Sequence, residues 1–170
     1  MTKLKFAEAI KVLPVLAAQD IAATTKVTSF VDLSLAHWLT FVVQFGAITA
    51  TDTALLTIGV EASTSGADTD SETNVGYSYR ISNAIGAAYS MGTITAVDST
   101  ATTTISSTDV VSSCLIVEVD PQVVAQTATA RYVRFTIDGA ADISAALCGV
   151  VAYVEPRYPG NAMPSLFTST

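Results

Sequence analysis

Short segments with strand-like alternation recur along most of this sequence, and they constrain the fold more than any other feature. In residues 131–138 the side chains alternate strictly between a polar and an apolar set. Roughly eight or nine such segments follow one another at intervals close to the 8–12 residues typical of sandwiches and barrels. No convincing helical periodicity separates them. The spacing predicts an all-β fold, a jelly-roll-like antiparallel β-sandwich. An immunoglobulin-like sandwich is the second choice, because Trp38 precedes both cysteines.

The clearest strand is predicted at residues 37–45, which are nearly uncharged and rich in aromatic and β-branched side chains. A second is predicted at residues 54–63, where Leu56, Ile58 and Val60 lie on one face. Residues 145–154 form an apolar run rich in Val and Ala, which predicts a strand buried on both faces. Pro156 ends that strand because proline has no N–H to donate.

Several connections are also predicted. Residues 46–52 and the pair Asp138-Gly139 have turn composition. Residues 89–97 and 102–107 are expected to pair with each other across a turn at 98–100. Residues 123–129 are expected to form an irregular or helical crossover.

These patterns divide the chain into an extended N-terminal arm at residues 1–25, a sandwich at 26–155 and a C-terminal tail at 156–170. The arm is rich in apolar residues but contains Pro14, which breaks a helix. An apolar arm does not stay free in water, so we expect it to pack on its own domain or on a neighbouring molecule.

Charge excludes one class of partner. The net charge is −7 and the pI is about 4.4, while the arginines are scattered and no lysine follows Lys26. Nucleic-acid binding needs clustered cations, so neither nucleic acid nor an anionic membrane is an expected partner. Only 14% of the residues are charged and the mean hydropathy is +0.48, which is typical either of a homo-oligomer that buries additional apolar surface or of a plain β-rich domain; the prediction is a homo-oligomer.

The location of the protein is also predicted. The longest apolar run is about half of the roughly 20 residues that a membrane-spanning helix needs. Lys3 and Lys5 resemble the start of a signal peptide, but Glu8 and Lys11 interrupt the following segment and Pro14 splits it. We therefore expect no signal peptide and synthesis in a cytoplasm.

Candidates for chemistry are few, and no enzymatic activity or cofactor is predicted. His37 is the single histidine, and the sequence has no Gly-x-Ser-x-Gly motif. Cys114 and Cys148 each lie in an apolar strand-like run, which predicts buried free thiols, with a disulfide between neighbouring strands as the alternative. One histidine and unpaired cysteine spacing do not make a metal site. Glu118 and Asp120 lie at a strand end, where carboxylates are usually exposed rather than catalytic.

Asp68, Asp70 and Glu72 resemble the start of a calcium-binding loop. The sixth and twelfth positions, which require glycine and glutamate, are Thr73 and Tyr79. The segment is therefore predicted to be a solvated acidic loop, with weak cation binding at a subunit contact as the alternative.

Arginines suggest contacts between strands or subunits. Arg131 and Arg134 are expected to be salt-bridge partners of a neighbouring strand or subunit, because the chain is too acidic for a nucleic-acid patch. In the tail, Arg157 and Tyr158 are residue types common at interfaces, and they precede a turn at Pro159. The tail is either an interface anchor or a surface segment that caps the sheet.

Two segments resemble a known group of proteins. The first is KVLPVLAAQDI at residues 11–21, which leads to HWLTFVVQFG at 37–46; the second is VEPRYPGNAMP at 154–164. Together they resemble small tailed-bacteriophage head auxiliary or decoration (cement) proteins. Residues 64–107 match nothing in that group.

The resemblance implies a β-sandwich that assembles, often as a trimer, on the outer surface of a phage capsid, with the major capsid protein as its partner. It implies no catalytic residue. Terminal segments suit this role because they bury area on neighbours. The residues predicted to contact a partner are Leu4, Phe6, Ile10, Leu13, Val15, Leu16, Arg157, Tyr158 and Pro159.

Two other functions remain open. One is a capsid or head–tail connector subunit, which copy number would distinguish from a decoration protein. The other is a carbohydrate-binding module or adhesin, for which Tyr77, Tyr79 and Tyr89 are the candidate platform.

Overall fold

The computed structural model consists of two antiparallel β-sheets packed face to face, which confirms the predicted all-β sandwich. It describes residues 9–50, 54–67, 72–84, 86, 88, 90–98, 101–157 and 167–168. The strands are β1 (Lys11–Asp20), β2 (Thr25–Val27), β3 (Phe30–Asp32), β4 (Ala36–Ala50), β5 (Leu55–Ser63), β6 (Thr73–Asn74), β7 (Tyr77–Ile81), β8 (Thr95–Val97), β9 (Thr103–Ser106), β10 (Cys114–Val119), β11 (Tyr132–Gly139), β12 (Ile143–Pro156) and β13 (Phe167–Thr168). A 3-10 turn covers Ser107–Asp109, and the helix α1 covers Pro121–Ala128.

The order of the strands defines the two layers. The six-strand sheet has the order β1-β12-β4-β10-β7-β8. The seven-strand sheet has the order β13-β3-β11-β5-β6, with β2 paired to β11 and β9 paired to β5. The long strands β4 and β12 lie next to each other near the middle of the first sheet.

The core lies between the sheets because alternate residues of the central strands are apolar and point inward. Phe41 of β4 and Phe135 of β11 meet there, with ring centroids 6.0 Å apart. The other fully or nearly fully buried residues of the central strands include Leu39, Val43, Phe45, Leu56, Ile58, Val60, Leu115, Val117, Val119, Val133, Ile137, Val150, Ala152 and Val154.

One prediction about β12 is wrong. Only one face of this strand is buried: Val150, Ala152 and Val154 lie in the core, whereas Val151 and Tyr153 are half-buried on the other face. Among the described residues, the second sheet packs only on the core side of this strand. The strand does end at Pro156, as predicted.

Three predicted connections are also wrong. Strand β4 runs through residues 46–50 instead of turning there. Asp138 and Gly139 are the last residues of β11, and the turn follows them. Strands β8 and β9 do not pair with each other, because β8 pairs with β7 while β9 pairs with β5 in the opposite sheet.

The predicted crossover before β11 is confirmed as a helix. Asp120 caps α1 by accepting a hydrogen bond from the Gln122 N–H at 2.8 Å, and Pro121 occupies the first turn. Thr129 ends the helix in the left-handed conformation at φ 50°. No helix in the described ranges has the length and apolarity needed to cross a membrane.

Residues 11–20 of the predicted arm form the edge strand β1, which pairs with β12 from Lys11↔Val154 to Asp20↔Leu147. Pro14 is tolerated because an edge strand needs its N–H groups on one side only. How the chain divides into arm, sandwich and tail stays a prediction, since residues 1–8 and 158–166 lie outside the described residues.

Candidate interaction surface

The outer side of the six-strand sheet carries a row of apolar side chains. Because residues alternate along each strand, the neighbours of the core residues point away from the core. Strand pairing aligns these residues across the sheet, from β1 to β7. The middle row consists of Pro14, Val151, Val42, Ile116 and Arg80.

Two further rows flank the middle row on the same side. Strand pairing places Val12, Tyr153, Thr40, Glu118 and Ser78 in the upper row. Gly149, Gln44 and Cys114 form the lower row. We call these three rows the open face. Its residues are half-buried or exposed.

A groove of about 540 Å³ lies over β1, β12 and β4 at one end of the open face. Apolar side chains line most of it, among them Leu16, Val42, Leu147 and Val151. Leu147 is 52% exposed, which is unusual for a leucine in a strand. The groove is thus a concave apolar surface on a rigid sheet.

The open face is large enough to matter for binding. With strands about 4.8 Å apart and residues about 3.3 Å apart, the distance from β1 to β10 is roughly 14 Å and from Leu147 to Tyr153 roughly 20 Å. This gives a footprint of about 300 Å², within the range at which an apolar patch on a monomer is often functional.

Charge is nearly absent from the open face. Within its three rows only Glu118 and Arg80 are charged, with opposite signs. The Nε of Arg80 is buried and has no hydrogen-bond partner among the described residues. A buried donor without a partner is uncommon in folded proteins, because its lost hydration is not replaced.

The predicted contact residues lie in different places. Leu13 and Leu16 are partly buried against the core, and Val15 is buried within it. Ile10 is half-buried just before β1. Leu4, Phe6, Tyr158 and Pro159 lie outside the described residues. Contact of this set with a partner stays a prediction.

Arg157 is exposed and fixed to the start of β4. Its Nε donates a hydrogen bond to the carbonyl oxygen of Ala36 at 3.0 Å, and its backbone N–H donates to the carbonyl oxygen of Leu35 at 2.8 Å. These two contacts join the end of β12 to the start of β4.

The other predicted arginine contacts form within the chain, which confirms the neighbouring-strand interpretation. Arg134 donates from Nε to Glu61 at 2.9 Å and from a terminal nitrogen to Glu72 at 3.0 Å. Arg131 makes a two-point contact with Asp32. Burial acts to raise the pKa of Asp32, but hydrogen bonds from Arg131 and Ser34 outweigh it and lower that pKa.

Of the three acidic residues in the predicted loop, the structure describes Glu72 only. Glu72 is engaged by Arg134, while Asp68 and Asp70 lie outside the described residues. Across the described ranges, no group of three His, Cys, Asp or Glu side chains is placed to hold a metal ion.

Both cysteines are free, as predicted. Cys114 is half-buried on the open face, and Cys148 is buried on the core side of β12. Burial raises the pKa of both thiols, that of Cys148 to about 12. They are therefore protonated and weakly nucleophilic at neutral pH.

Tyr77 is not part of an exposed carbohydrate-binding surface, so the prediction is wrong for this residue. Its ring is buried, and its hydroxyl donates a hydrogen bond to the carbonyl oxygen of Ile58 at 3.0 Å. Tyr79 lies beside it, with ring centroids 6.5 Å apart, and packs against the core. Tyr89 lies outside the described residues. His37 is exposed at the start of β4.

Sequence reasoning missed the open face. The clearest sign of it in the sequence is residues 150–154, which are apolar on both faces of the strand. The same pattern is typical of a strand that is buried on both faces, so it does not identify an outward-facing apolar surface.

Comparisons with known proteins identify no family. No protein-family model matches the sequence, and no curated protein matches it either. The solved structures that the chain is similar to include one described as the crystal structure of PBSX exported protein XepA, with 11% identity and a TM-score of 0.39. The similarity covers 100% of this chain and 45% of that one, so this chain spans less than half of that protein. A likeness at this level carries no argument about function.

Proposed function

We propose that this protein is a virion structural protein, a capsid decoration (cement) protein that binds the assembled phage head and stabilises it from outside. The observation that carries the proposal is the open face, a nearly uncharged surface on a hydrogen-bonded sheet whose middle row is apolar from Pro14 to Ile116. The resemblance of residues 11–21, 37–46 and 154–164 to decoration proteins supports the same role.

A rigid apolar face suits binding to a preformed lattice. The middle row comes from five neighbouring strands, all held by backbone hydrogen bonds. Little conformational entropy is lost when such a surface is covered, so more of the contact free energy appears as affinity. Of the predicted terminal contacts, Arg157 is exposed and would add area on a neighbouring subunit, whereas Val15 belongs to the core of its own chain.

The proposed partner is the major capsid protein. On this proposal the protein acts as a homo-oligomer on the outer surface of the virion, without catalysis, nucleic acid or membrane. A capsid or connector subunit would use the same kind of surface but in a different number of copies.

Quantitative mass spectrometry of purified virus particles tests the proposal. We expect hundreds of copies per particle, in a fixed ratio to the major capsid protein. About a dozen copies would instead indicate a vertex or connector protein. Absence from the particles would refute a virion role.

A further inference from the structure

We propose that a cleft at one end of the six-strand sheet binds the cationic side chain of an arginine or lysine carried by a peptide. The cleft has a volume of about 510 Å³ and is lined by residues of β4, β7, β8, β10 and α1. This inference goes beyond the proposed function and does not depend on it, because the cleft lies within a single chain.

The cleft is centred outside the three rows of the open face. Beyond the last pair of β4 with β10, Trp38 and Asp120 lie beside each other at this end of the sheet, and both line the cleft. Of the residues in the three rows, Glu118 and Ser78 alone also line it, and no described residue lines both the cleft and the apolar groove. The cleft is therefore a second site, apart from the groove and from the middle row.

Apolar side chains line the cleft together with one indole ring. Trp38 is half-buried, whereas Ile94 is 55% exposed and Val123 of α1 is 37% exposed. The face of an indole ring attracts a cation, and it does so more strongly than the ring of tyrosine or phenylalanine. The methylene groups of an arginine or lysine side chain pack well on apolar surface such as Ile94 and Val123. The lining therefore suits a long side chain with a cationic end.

Carboxylates supply the complementary charge. Asp98, Glu118 and Asp120 line the cleft, and among the described residues no lysine, arginine or histidine does. Glu118 is half-buried, and its side chain makes no hydrogen bond or ion pair with the described residues. Asp120 uses Oδ1 to cap α1, which leaves Oδ2 to accept from a ligand. A guanidinium or ammonium group in the cleft therefore meets two carboxylates that can accept its hydrogen bonds.

The balance of donors and acceptors favours an organic cation over a metal ion or a neutral sugar. Across the described ranges, no group of three metal-binding side chains is placed to hold a metal ion. The three carboxylates of the lining only accept hydrogen bonds when ionised. Of the side-chain donors, the Tyr77 hydroxyl is already bonded to Ile58, while the Ser78 hydroxyl remains beside the indole N–H. A sugar hydroxyl both donates and accepts, whereas an arginine or lysine side chain only donates and so matches this lining better.

An NMR titration of the full chain tests the inference through the indole N–H of Trp38. The chain has a single tryptophan, so its indole signal needs no assignment. The probe is a blocked tripeptide of sequence Arg-Gly-Arg, and the control is the same peptide with citrulline, in which a neutral urea replaces each guanidinium. We expect the arginine peptide to shift the indole signal saturably at millimolar concentrations. We expect the citrulline peptide to bind at least about tenfold more weakly.

Two variants remove charge from the cleft and keep the tryptophan signal. Glu118→Gln preserves the shape of the side chain, and Asp120→Asn preserves a residue type that caps helices well. Asp109→Asn is the matched control, because Asp109 is an exposed carboxylate outside the cleft and its loss changes the net charge equally. We expect Glu118→Gln and Asp120→Asn each to weaken binding of the arginine peptide by about fivefold or more. We expect Asp109→Asn to stay within about twofold of wild type, because salt screens distant charges.

An indole signal that does not move, or that moves equally with both peptides, would overturn the inference. So would an equal loss of binding for Asp109→Asn and Glu118→Gln, because it would indicate a general attraction to an acidic chain. A shift with the neutral sugar cellotriose and none with the arginine peptide would assign the cleft to carbohydrate instead. These titrations contain no virus particles, so their failure leaves the proposed function as it stands.

Discussion

Replacing Gly139 with alanine should destabilise the protein strongly. Gly139 ends β11, where the chain that follows β1 crosses it closely. A Cβ atom at this position would lie 2.2 Å from the carbonyl oxygen of Ile21 and 3.2 Å from its carbonyl carbon. Both are backbone atoms, so no side-chain rotation relieves the contact. Ile21 is fully buried, and its N–H donates to the Ala146 carbonyl oxygen at 2.9 Å.

The expected loss is about 3 kcal/mol. Overpacking a well-packed site costs about 1–3 kcal/mol. Displacing Ile21 weakens its hydrogen bonds to Ala146 and Thr24, at about 1 kcal/mol each. Reduced freedom of the unfolded chain returns about 0.4–1 kcal/mol. For a domain of this size, 3 kcal/mol corresponds to a fall in Tm of roughly 6–12 °C.

Urea unfolding and thermal melts measure this loss, and Gly149→Ala is the matched control. Gly149 is also a strand glycine, but its Cβ would lie 3.4 Å from the Ala18 Cα, an ordinary contact. We expect Gly149→Ala to stay within about 1 kcal/mol of wild type. The reasoning is refuted if Gly139→Ala is as stable as wild type, or if both replacements cost the same.

Three further predictions concern charges and thiols. Arg134→Met should lower the free energy of unfolding in urea by about 2–3 kcal/mol, because it leaves Glu61 and Glu72 without their ion pair to Arg134. Arg80→Met should leave that free energy unchanged or raise it, because Arg80 Nε has no hydrogen-bond partner among the described residues. Equal losses for the two variants would contradict this prediction. The lowered folded-state pKa of Asp32 means that its ionised form stabilises the fold above its ordinary pKa of 3.8, and that this is lost as pH falls through the folded-state value. Wild type should therefore unfold at a higher urea concentration than Asp32→Asn at pH 6, and this difference between the two unfolding midpoints should become smaller as the pH is lowered to 2. A difference that does not change with pH would contradict the prediction. A thiol reagent at pH 8 should modify native Cys114 slowly and Cys148 more slowly still, and both rapidly in urea; fast labelling of native Cys148 would contradict its burial.

The sequence predicts the fold class and most core strands because the inward-facing residues are consistently apolar. In β11 this set is Val133, Phe135 and Ile137, and in β5 it is Leu56, Ile58 and Val60. Alternation of this kind depends only on which side of each strand meets the core, so it can be recognised without knowing the partner strands.

The pairing of strands could not be obtained in the same way. Sequence proximity favours a hairpin between residues 89–97 and 102–107. In the structure Ile105 is buried opposite Leu56 in the seven-strand sheet, while Val97 pairs with Tyr77 in the other sheet. Tertiary burial of Ile105 therefore outweighs the local preference.

Turn composition was misleading where glycine has another purpose. Asp138-Gly139 has a typical turn composition, but Gly139 continues the strand because only a residue without a side chain fits against Ile21. The open face was missed for a different reason: Val151 and Tyr153 are apolar, and only the structure reveals that they lie half-buried on the side of β12 that points away from the core.

The pairing of β1 with β12 also determines when the six-strand sheet is complete during synthesis. Lys11 pairs with Val154, so partners about 140 residues apart must meet, a separation typical of slowly folding β proteins. At about 5–20 residues per second, a ribosome needs roughly 7–30 s to make the intervening chain. The apolar strand β4 is made early in that time, and it lacks its neighbour β10 until residue 119 is added and its neighbour β12 until residue 156 is added. Production at low temperature or with chaperones that shield β4 should therefore raise the yield of folded protein.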